Sequence, residues 1–244
     1  MNGRHTGEVI MANEKILVVD DEKEIAELAE IYLVSDGYQV FKAVNAYEGL
    51  RILEKEDIKL ALIDIMMPGM NGIDMCKKIR ETSNIPIIMV SAKGAELDKI
   101  VGLGAGADDY VTKPFSPLEL SARVKSQLRR YTTLNPGTQA QTALAEEIRI
   151  GGLLINTVSH RVWVYDEEVR FTPIEFDILV LLASHPGKVF SIEDIFAQVW
   201  HEKAYEANNT VMVHIRRIRT KLGEDERADK IITTVWGVGY KIEG

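Results

Sequence analysis

Between Lys15 and Arg130 the chain alternates a short apolar run with an amphipathic segment five times over, and this rhythm limits the possible folds more than any other feature. The rounds are KILVVD then Glu24 to Asp36, QVFKAV then Ala46 to Glu56, LALIDI then Gly72 to Thr82, PIIMVSA then Ala95 to Ala105, and ADDYVTK then Ser116 to Arg130. A strand joined to the next through a helix returns parallel, so the five units imply an α/β fold with a doubly wound five-stranded parallel sheet. Open sheets of this kind place their sites outside the carboxyl ends of the strands. Asp20 and Asp21 end the first run, Asp64 the third, Ser91 lies in the fourth, and Lys113 ends the fifth. Pro68, Gly69 and Gly72 then break the chain after the third strand, as a loop over a site requires.

Three carboxylates in one place repel each other, so a stable arrangement needs a cation or raised pKa values. Oxygen donors with positions left for water suit Mg²⁺, which takes one or two carboxylates together with phosphate oxygens. Beside a lysine, a carboxylate of such a cluster can attack a phosphoryl group and hold it as an acyl phosphate. Any one of these aspartates alone is more often a turn former. The set, together with Ser91 and Lys113 at neighbouring strand ends, favours the site.

A chain of 244 residues suggests two domains. The stretch YTTLNPGTQAQTALAEE, from Tyr131 to Glu147, has no sustained apolar face and reads as a linker. Beyond it come strand-like pieces, IRIGGLLIN and HRVWVYDEEVRF, with Asp166, Glu167 and Glu168 as an expected hairpin turn. Thr172, Pro173 and Glu175 form the start of a helix with a capping box, and Ile174, Ile178, Leu181 and Leu182 give it a buried stripe. A second helix opens at Ser191, and a third runs from about Asn208 to Leu222. The closing hairpin IITTVWGVGYKIE completes a winged helix-turn-helix pattern.

In the third of these helices Val211, Ile215, Ile218 and Leu222 form one apolar stripe, which faces the core. Asn209, Val213, Arg216, Arg217 and Thr220 lie opposite, with Arg219 and Lys221 on the flanks and no acidic residue among them. A solvated surface helix normally mixes both signs; this one points to DNA, with arginines able to read guanine and flanking cations able to hold phosphates. The formal net charge of −8 excludes bulk attraction to nucleic acid, so the basic helix is a local exception. The single cysteine, Cys76, excludes an internal disulfide and reads as a packing residue. No apolar stretch reaches the roughly 20 residues needed to span a bilayer, so a cytoplasmic protein with no membrane partner is expected. Residues 1–13 show no periodicity and are read as a disordered extension.

The motifs DDE, LIDIMMPGMNG, SAK, GADDY and TKPF resemble those of the receiver domain of two-component response regulators, the flavodoxin-like fold typified by CheY. The motifs TPIEFDIL, VHIRRIRTKLG and TVWGVGYKI resemble the winged-helix effector of the OmpR/PhoB family. The expected domains are a receiver over 14–131, a linker over 132–146 and a DNA-binding domain over 147–244. Within the family YEANNTVMVHIRRIRTKLG, IITTVWGVGYKIE and VKSQLRRYTTLNP are similar to the VanR-type regulators of glycopeptide resistance.

By this resemblance Asp64 is the phosphoacceptor, and Mg²⁺ is bound by Asp20, Asp21, Asp64 and the Met66 backbone carbonyl. Ser91 and Lys113 contact the phosphoryl group, Tyr110 pairs with Ser91 as a switch, and the bond from Lys113 to Pro114 is cis. DNA contacts are implied for Asn209, Thr210, Val213, His214, Arg216, Arg217, Arg219, Lys221, Thr234, Trp236 and Tyr240. His214 has no second ligand spaced near it and reads as a phosphate or packing neighbour. Trp236 departs from the basic residue often found at its place in the wing. A symmetric dimer is implied through Lys99 with Glu119, Asp109 with Arg123, and Asp108 with Arg130. The implied partners are a sensor histidine kinase, double-stranded promoter DNA, RNA polymerase and, on phosphorylation, a second copy of the chain. The chain is not expected to be an enzyme.

Two rival readings differ in class. A magnesium-dependent phosphatase would use Asp64 as nucleophile, but its usual second aspartate two residues on is here Met66. A phosphorylation-independent regulator would need none of Asp20, Asp21, Asp64, Ser91 and Lys113, all of which are intact.

Overall fold

A computed structural model describes residues 13–92, 96–133, 147–200, 207–226 and 230–244. Most of the expected N-terminal extension and linker lies outside them. The first half is built from β1 (Lys15–Val19), α1 (Lys23–Ser35), β2 (Gln39–Ala43), α2 (Ala46–Lys55), β3 (Ile58–Asp64), α3 (Gly72–Thr82), β4 (Ile87–Ala92), α4 (Glu96–Ala105), β5 (Asp109–Lys113) and α5 (Pro117–Thr133). The five strands form one sheet in the order β2-β1-β3-β4-β5, and every pairing is parallel. Alternate residues of a strand enter opposite cores: Leu17, Val19, Ala61 and Ile63 pack on one face, Ile16, Val18, Leu60 and Leu62 on the other. Burial on both faces explains why these strands read as continuous apolar runs.

The order reverses beside β1, whose neighbours are β2 and β3, so the ends of β1 and β3 open into the crevice where such sheets bind ligands. Asn45 and Asn71 cap α2 and α3, their side chains accepting from the backbone N–H groups of Glu48 at 3.0 Å and Asp74 at 2.8 Å. Gly72 opens α3 hard against β3. A Cβ there would lie 2.1 Å from the Asp64 carbonyl oxygen, so only glycine lets α3 approach the strand end this closely.

The second half begins with an antiparallel sheet of β6 (Glu147–Ile150), β7 (Leu153–Asn156), β8 (Arg161–Val164) and β9 (Glu167–Val169). Its last turn falls on Tyr165 and Asp166, both left-handed at φ 49° and 70°, while Glu167 and Glu168 belong to β9. The expected turn was thus one step late, because Trp163 pairs with Glu168 across the ladder and Arg161 pairs with Glu168 as ions. Then follow α6 (Pro173–Ala183), α7 (Ile192–Trp200), α8 (Ala207–Lys221) and the hairpin of β10 (Ile232–Val235) with β11 (Gly239–Ile242). Val211, Ile215, Ile218 and Leu222 face the core as expected, all at most 1 % exposed. They pack with Ile174, Ile178 and Leu182 of α6 and with Val199 and Trp200 of α7. Among the described residues no helix is long and apolar enough to cross a membrane.

Candidate functional site

The carboxyl ends of β1, β3 and β5 bring together the residues that their sequence positions suggested. Carboxylate oxygens of Asp20, Asp21 and Asp64 lie within 4.8 Å of one another. Asp20 and Asp64 are buried and Asp21 is exposed, so the cluster has a dry floor and one wet wall. The Lys113 ammonium lies 2.9 Å from Asp20, 3.2 Å from Asp64 and 3.0 Å from Glu22. Glu22 was not singled out from the sequence, although it completes the DDE triplet. Ser91 is fully buried at the end of β4, and its hydroxyl has no hydrogen-bond partner among the described residues. The Lys113 to Pro114 bond is cis. Tyr110 lies half-buried on β5 against the sheet's core, and the Met66 side chain is exposed in the loop after β3.

The charges are uneven. Burial raises the Asp64 pKa to about 6, the Lys113 charge lowers it, and Asp20 raises it again. Burial also raises the Asp20 pKa against the Lys113 hydrogen bond. Burial works against the Lys113 ammonium, but its bonds to Asp20 and Glu22 outweigh this and hold its pKa above the ordinary lysine value. One lysine therefore does not neutralise the pocket, and the hard oxygen donors left over suit a small divalent cation.

The basic helix is the second site. Two residues of α8 expected to face DNA, Val213 and Arg217, meet the receiver-like half instead. Val213 packs against that half's core, while Thr210 and His214 are 2 % and 0 % exposed. His214 is therefore a packing residue beside Trp200, at 5.5 Å between rings, and in this arrangement it presents nothing to a phosphate. Arg217 donates to the Leu103 and Ala107 carbonyls at 3.3 and 2.9 Å, at the C-terminal end of α4 where the helix dipole is negative. It also pairs at 2.6 Å with the buried carboxylate of Glu175, which Lys221 meets at 2.6 Å as well. These two cations hold the Glu175 pKa below its usual value in spite of burial. Arg219 ties α8 to the hairpin through the Ile232 carbonyl and the Thr234 hydroxyl, both at 2.8 Å, and lies over Tyr240. Tyr240 is buried, and Trp236 is 91 % exposed. Of the expected arginines only Arg216 is exposed. The side chains of Asn209 and Lys99 lie outside the described residues.

The residues expected at a dimer face make their bonds within one chain. Arg123 meets Asp109 at 3.0 Å and Glu119 at 3.1 Å. Within one chain Asp108 and Arg130 have other partners. Asp108 is fully buried and accepts from Arg80 at 2.7 Å and from the Ile87 backbone N–H at 2.8 Å, because it lies just before β5 under the end of α3. Arg130 instead reaches the other half, donating to the Val199 carbonyl and lying 3.3 Å from Asp177.

Residues 16–125 match the response regulator receiver domain, and residues 166–242 match the C-terminal domain of transcriptional regulatory proteins. The regulatory protein VanRc of Enterococcus gallinarum is 50 % identical over 95 % of this chain and 99 % of its own length. The chain belongs to the response regulators. VanR of Enterococcus faecium is 47 % identical, over 95 % of this chain and 99 % of its own. A solved structure of a mutant of RitR superimposes with a TM-score of 0.71 at 27 % identity, covering 95 % of this chain and 100 % of that one. As a response regulator of the OmpR/PhoB type the chain regulates transcription, its receiver implying a sensor kinase and its effector domain DNA. Receiver domains generally bind Mg²⁺ at the acidic pocket, and the cluster of Asp20, Asp21 and Asp64 stands where that pocket lies.

Proposed function

We propose that Asp64 accepts a phosphoryl group from a sensor histidine kinase and that the acyl phosphate frees α8 from the receiver. The observation that carries this reading is the Lys113 ammonium set between two buried carboxylates, 2.9 Å from Asp20 and 3.2 Å from Asp64. In the transfer an Asp64 oxygen bonds to phosphorus as the bond from phosphorus to the kinase imidazole breaks, its electron pair staying on the nitrogen. Lys113 and Ser91 bind the phosphoryl oxygens; the unpartnered buried hydroxyl of Ser91 supports this role. Asp20, Asp21, Asp64 and the Met66 carbonyl would hold Mg²⁺, which when bound supplies charge for the transferring oxygens. Glu22 holds Lys113 over the pocket from the solvent side.

Occupying Ser91 and displacing Lys113 disturbs β4 and β5, on which Tyr110 and the C-terminal end of α4 rest. We take Tyr110 as the switch. Release of Arg217 from α4 uncovers Val213 and Arg217 beside the already exposed Arg216 for a major groove, while Asn209, Thr210, Arg219, Lys221, Thr234 and Tyr240 hold or support the phosphate contacts. Release of Arg130 from Asp177 frees it for a symmetric dimer together with Lys99, Asp109, Glu119 and Arg123. The dimer places two helices on successive half-sites and engages RNA polymerase at promoters, in the cytoplasm. The likeness to VanRc and VanR points to glycopeptide-resistance genes as the target. Incubation with acetyl phosphate and Mg²⁺ should give a base-labile label that Asp64→Ala abolishes. Labelling of the variant at the wild-type level would refute the assignment.

A further inference from the structure

We infer that the cleft between the two domains, bounded by the ends of α3 and α4 on one side and by α8 on the other, binds a small phosphate anion such as pyrophosphate. The cleft encloses about 290 Å³, close to the lower end of ligand pockets at roughly 300 Å³. Arg80 reaches it from α3, Arg170 from the β9–α6 connection, and Arg217 and Lys221 from α8. Among the described residues Glu81 is the only acidic one in its lining.

The four cations are not equally committed. Arg80 donates to the Gly106, Ser83 and Ile85 carbonyls and to Asp108, and Arg217 donates to the Leu103 and Ala107 carbonyls and pairs with Glu175. These two fix the walls, and they cover the carbonyls at the end of α4 whose negative dipole would otherwise repel an anion. Lys221 shares the Glu175 carboxylate with Arg217, so one carboxylate faces two cations and a positive charge is left over. The Lys221 ammonium gives Glu175 one of its three N–H groups and keeps the others for a ligand. Arg170 is exposed and forms no ion pair with a described residue. Two surplus cations thus face one enclosed space, against a single exposed carboxylate, Glu81. Like charges gathered in this way repel each other, and an anion between them relieves the cost.

The rest of the lining selects the kind of anion. It is small and polar, and Ala105 supplies its only apolar side chain, so neither an aromatic ring nor a peptide side chain finds a pocket there. Guanidinium forks and an ammonium suit phosphoryl oxygens, and two surplus charges suit an anion of more than one charge. Arg80 belongs to the receiver and the other three cations to the effector domain, so the anion meets its full set of partners only while the domains are closed on each other. A ligand that binds one state better shifts the equilibrium towards it. This consequence rests on the reading that α8 leaves the receiver to reach DNA, and it makes the anion a brake on DNA binding.

The test is calorimetric titration of the full-length unphosphorylated chain with pyrophosphate, inorganic phosphate and ATP. Ionic strength is held fixed and Mg²⁺ is left out, so that no metal bridges an anion to the Asp64 pocket. Pyrophosphate should bind with a Kd of about 1 mM or below, and more tightly than phosphate. Comparable binding of ATP would name the phosphate chain of a nucleotide as the source, and its failure to bind would name the free anion. Arg170→Ala should weaken pyrophosphate binding roughly tenfold, Arg170→Lys should fall between it and wild type, and Glu81→Gln should tighten binding. Arg170 has no ion pair to lose, so ligand-free Arg170→Ala should melt with the wild type. No heat from any of the three anions up to about 10 mM, or wild-type binding by Arg170→Ala, would overturn the site. On an operator duplex selected in vitro with the wild-type protein, pyrophosphate at a concentration that fills the wild-type cleft should lower wild-type affinity more than that of Arg170→Ala. Arg170-dependent binding with an unchanged duplex affinity would keep the site and instead fail the reading in which α8 leaves the receiver to bind DNA.

Discussion

Replacing Asp177 by asparagine should loosen the contact between the two domains without touching the phosphoacceptor or the basic helix. Asp177 lies 3.3 Å from Arg130, a side chain 6 % exposed that also donates to the Val199 carbonyl. Asp177 itself is 31 % exposed, so the pair falls between an exposed ion pair, at about 0 to 1 kcal/mol, and a buried one, at about 3 to 5 kcal/mol when one partner is removed. A loss of about 1 to 2 kcal/mol raises the open fraction of a mostly closed protein by roughly 5- to 30-fold. Only the open form offers α8 to DNA, so the apparent affinity of unphosphorylated Asp177→Asn should rise by the same factor. After phosphorylation the wild type is already open, and the two proteins should bind alike. Fluorescence anisotropy on one duplex, with and without acetyl phosphate, measures all four constants. An equal change in both states, or none in the unphosphorylated state, would refute the idea that Arg130 helps hold α8 closed.

Glu175→Ala leaves Arg217 and Lys221 without their shared carboxylate and the Thr172 N–H without its acceptor. It should cost the effector domain about 3 to 5 kcal/mol, a fall of more than about 10 °C in its calorimetric transition, and a smaller fall would show that the carboxylate matters little. Burial, with Arg217 adding to it, drives the His214 pKa down to about 3 from an ordinary 6.5. Since the folded value is depressed, stability is complete above pH 6.5 and declines as the pH falls towards 3, by about 1.4 kcal/mol per unit. Urea unfolding at pH 7 and pH 5.5 should show this decline in the wild type and a flatter one in His214→Leu; equal declines would contradict it. Gly72→Ala forces a methyl group towards the Asp64 carbonyl, and a shift of the strand end by about 1 Å should slow phosphorylation on the order of 100-fold, as followed by label incorporation.

The acidic pocket was legible in the sequence because a parallel sheet brings strand ends together whatever their separation along the chain. Asp20, Asp64 and Lys113 needed only the β-α alternation to be placed at one edge. The apolar stripe of α8 was legible for a similar reason, since helical period alone puts Val211, Ile215, Ile218 and Leu222 on one side. The far side of α8 was not. Its arginines read as a free face because their partners are tertiary: Arg217 meets the Leu103 carbonyl 114 residues away, and a backbone carbonyl leaves no mark in a sequence. The intrachain partner of Asp108 was hidden in the same way, Arg80 lying on a helix 28 residues earlier with nothing periodic between them. Glu22 carried a signal, adjacency to two site aspartates, but its bond to Lys113 depends on β1 and β5 lying on opposite sides of β3 with the lysine reaching back across.

The central claim is that the phosphoryl group on Asp64 uncovers the DNA-binding helix, and the most direct test is the affinity of full-length wild type and Asp64→Ala for one operator duplex before and after kinase treatment. Wild type should tighten on treatment while Asp64→Ala stays at its untreated value. Equal tightening in both would place the switch somewhere other than the strand-end pocket.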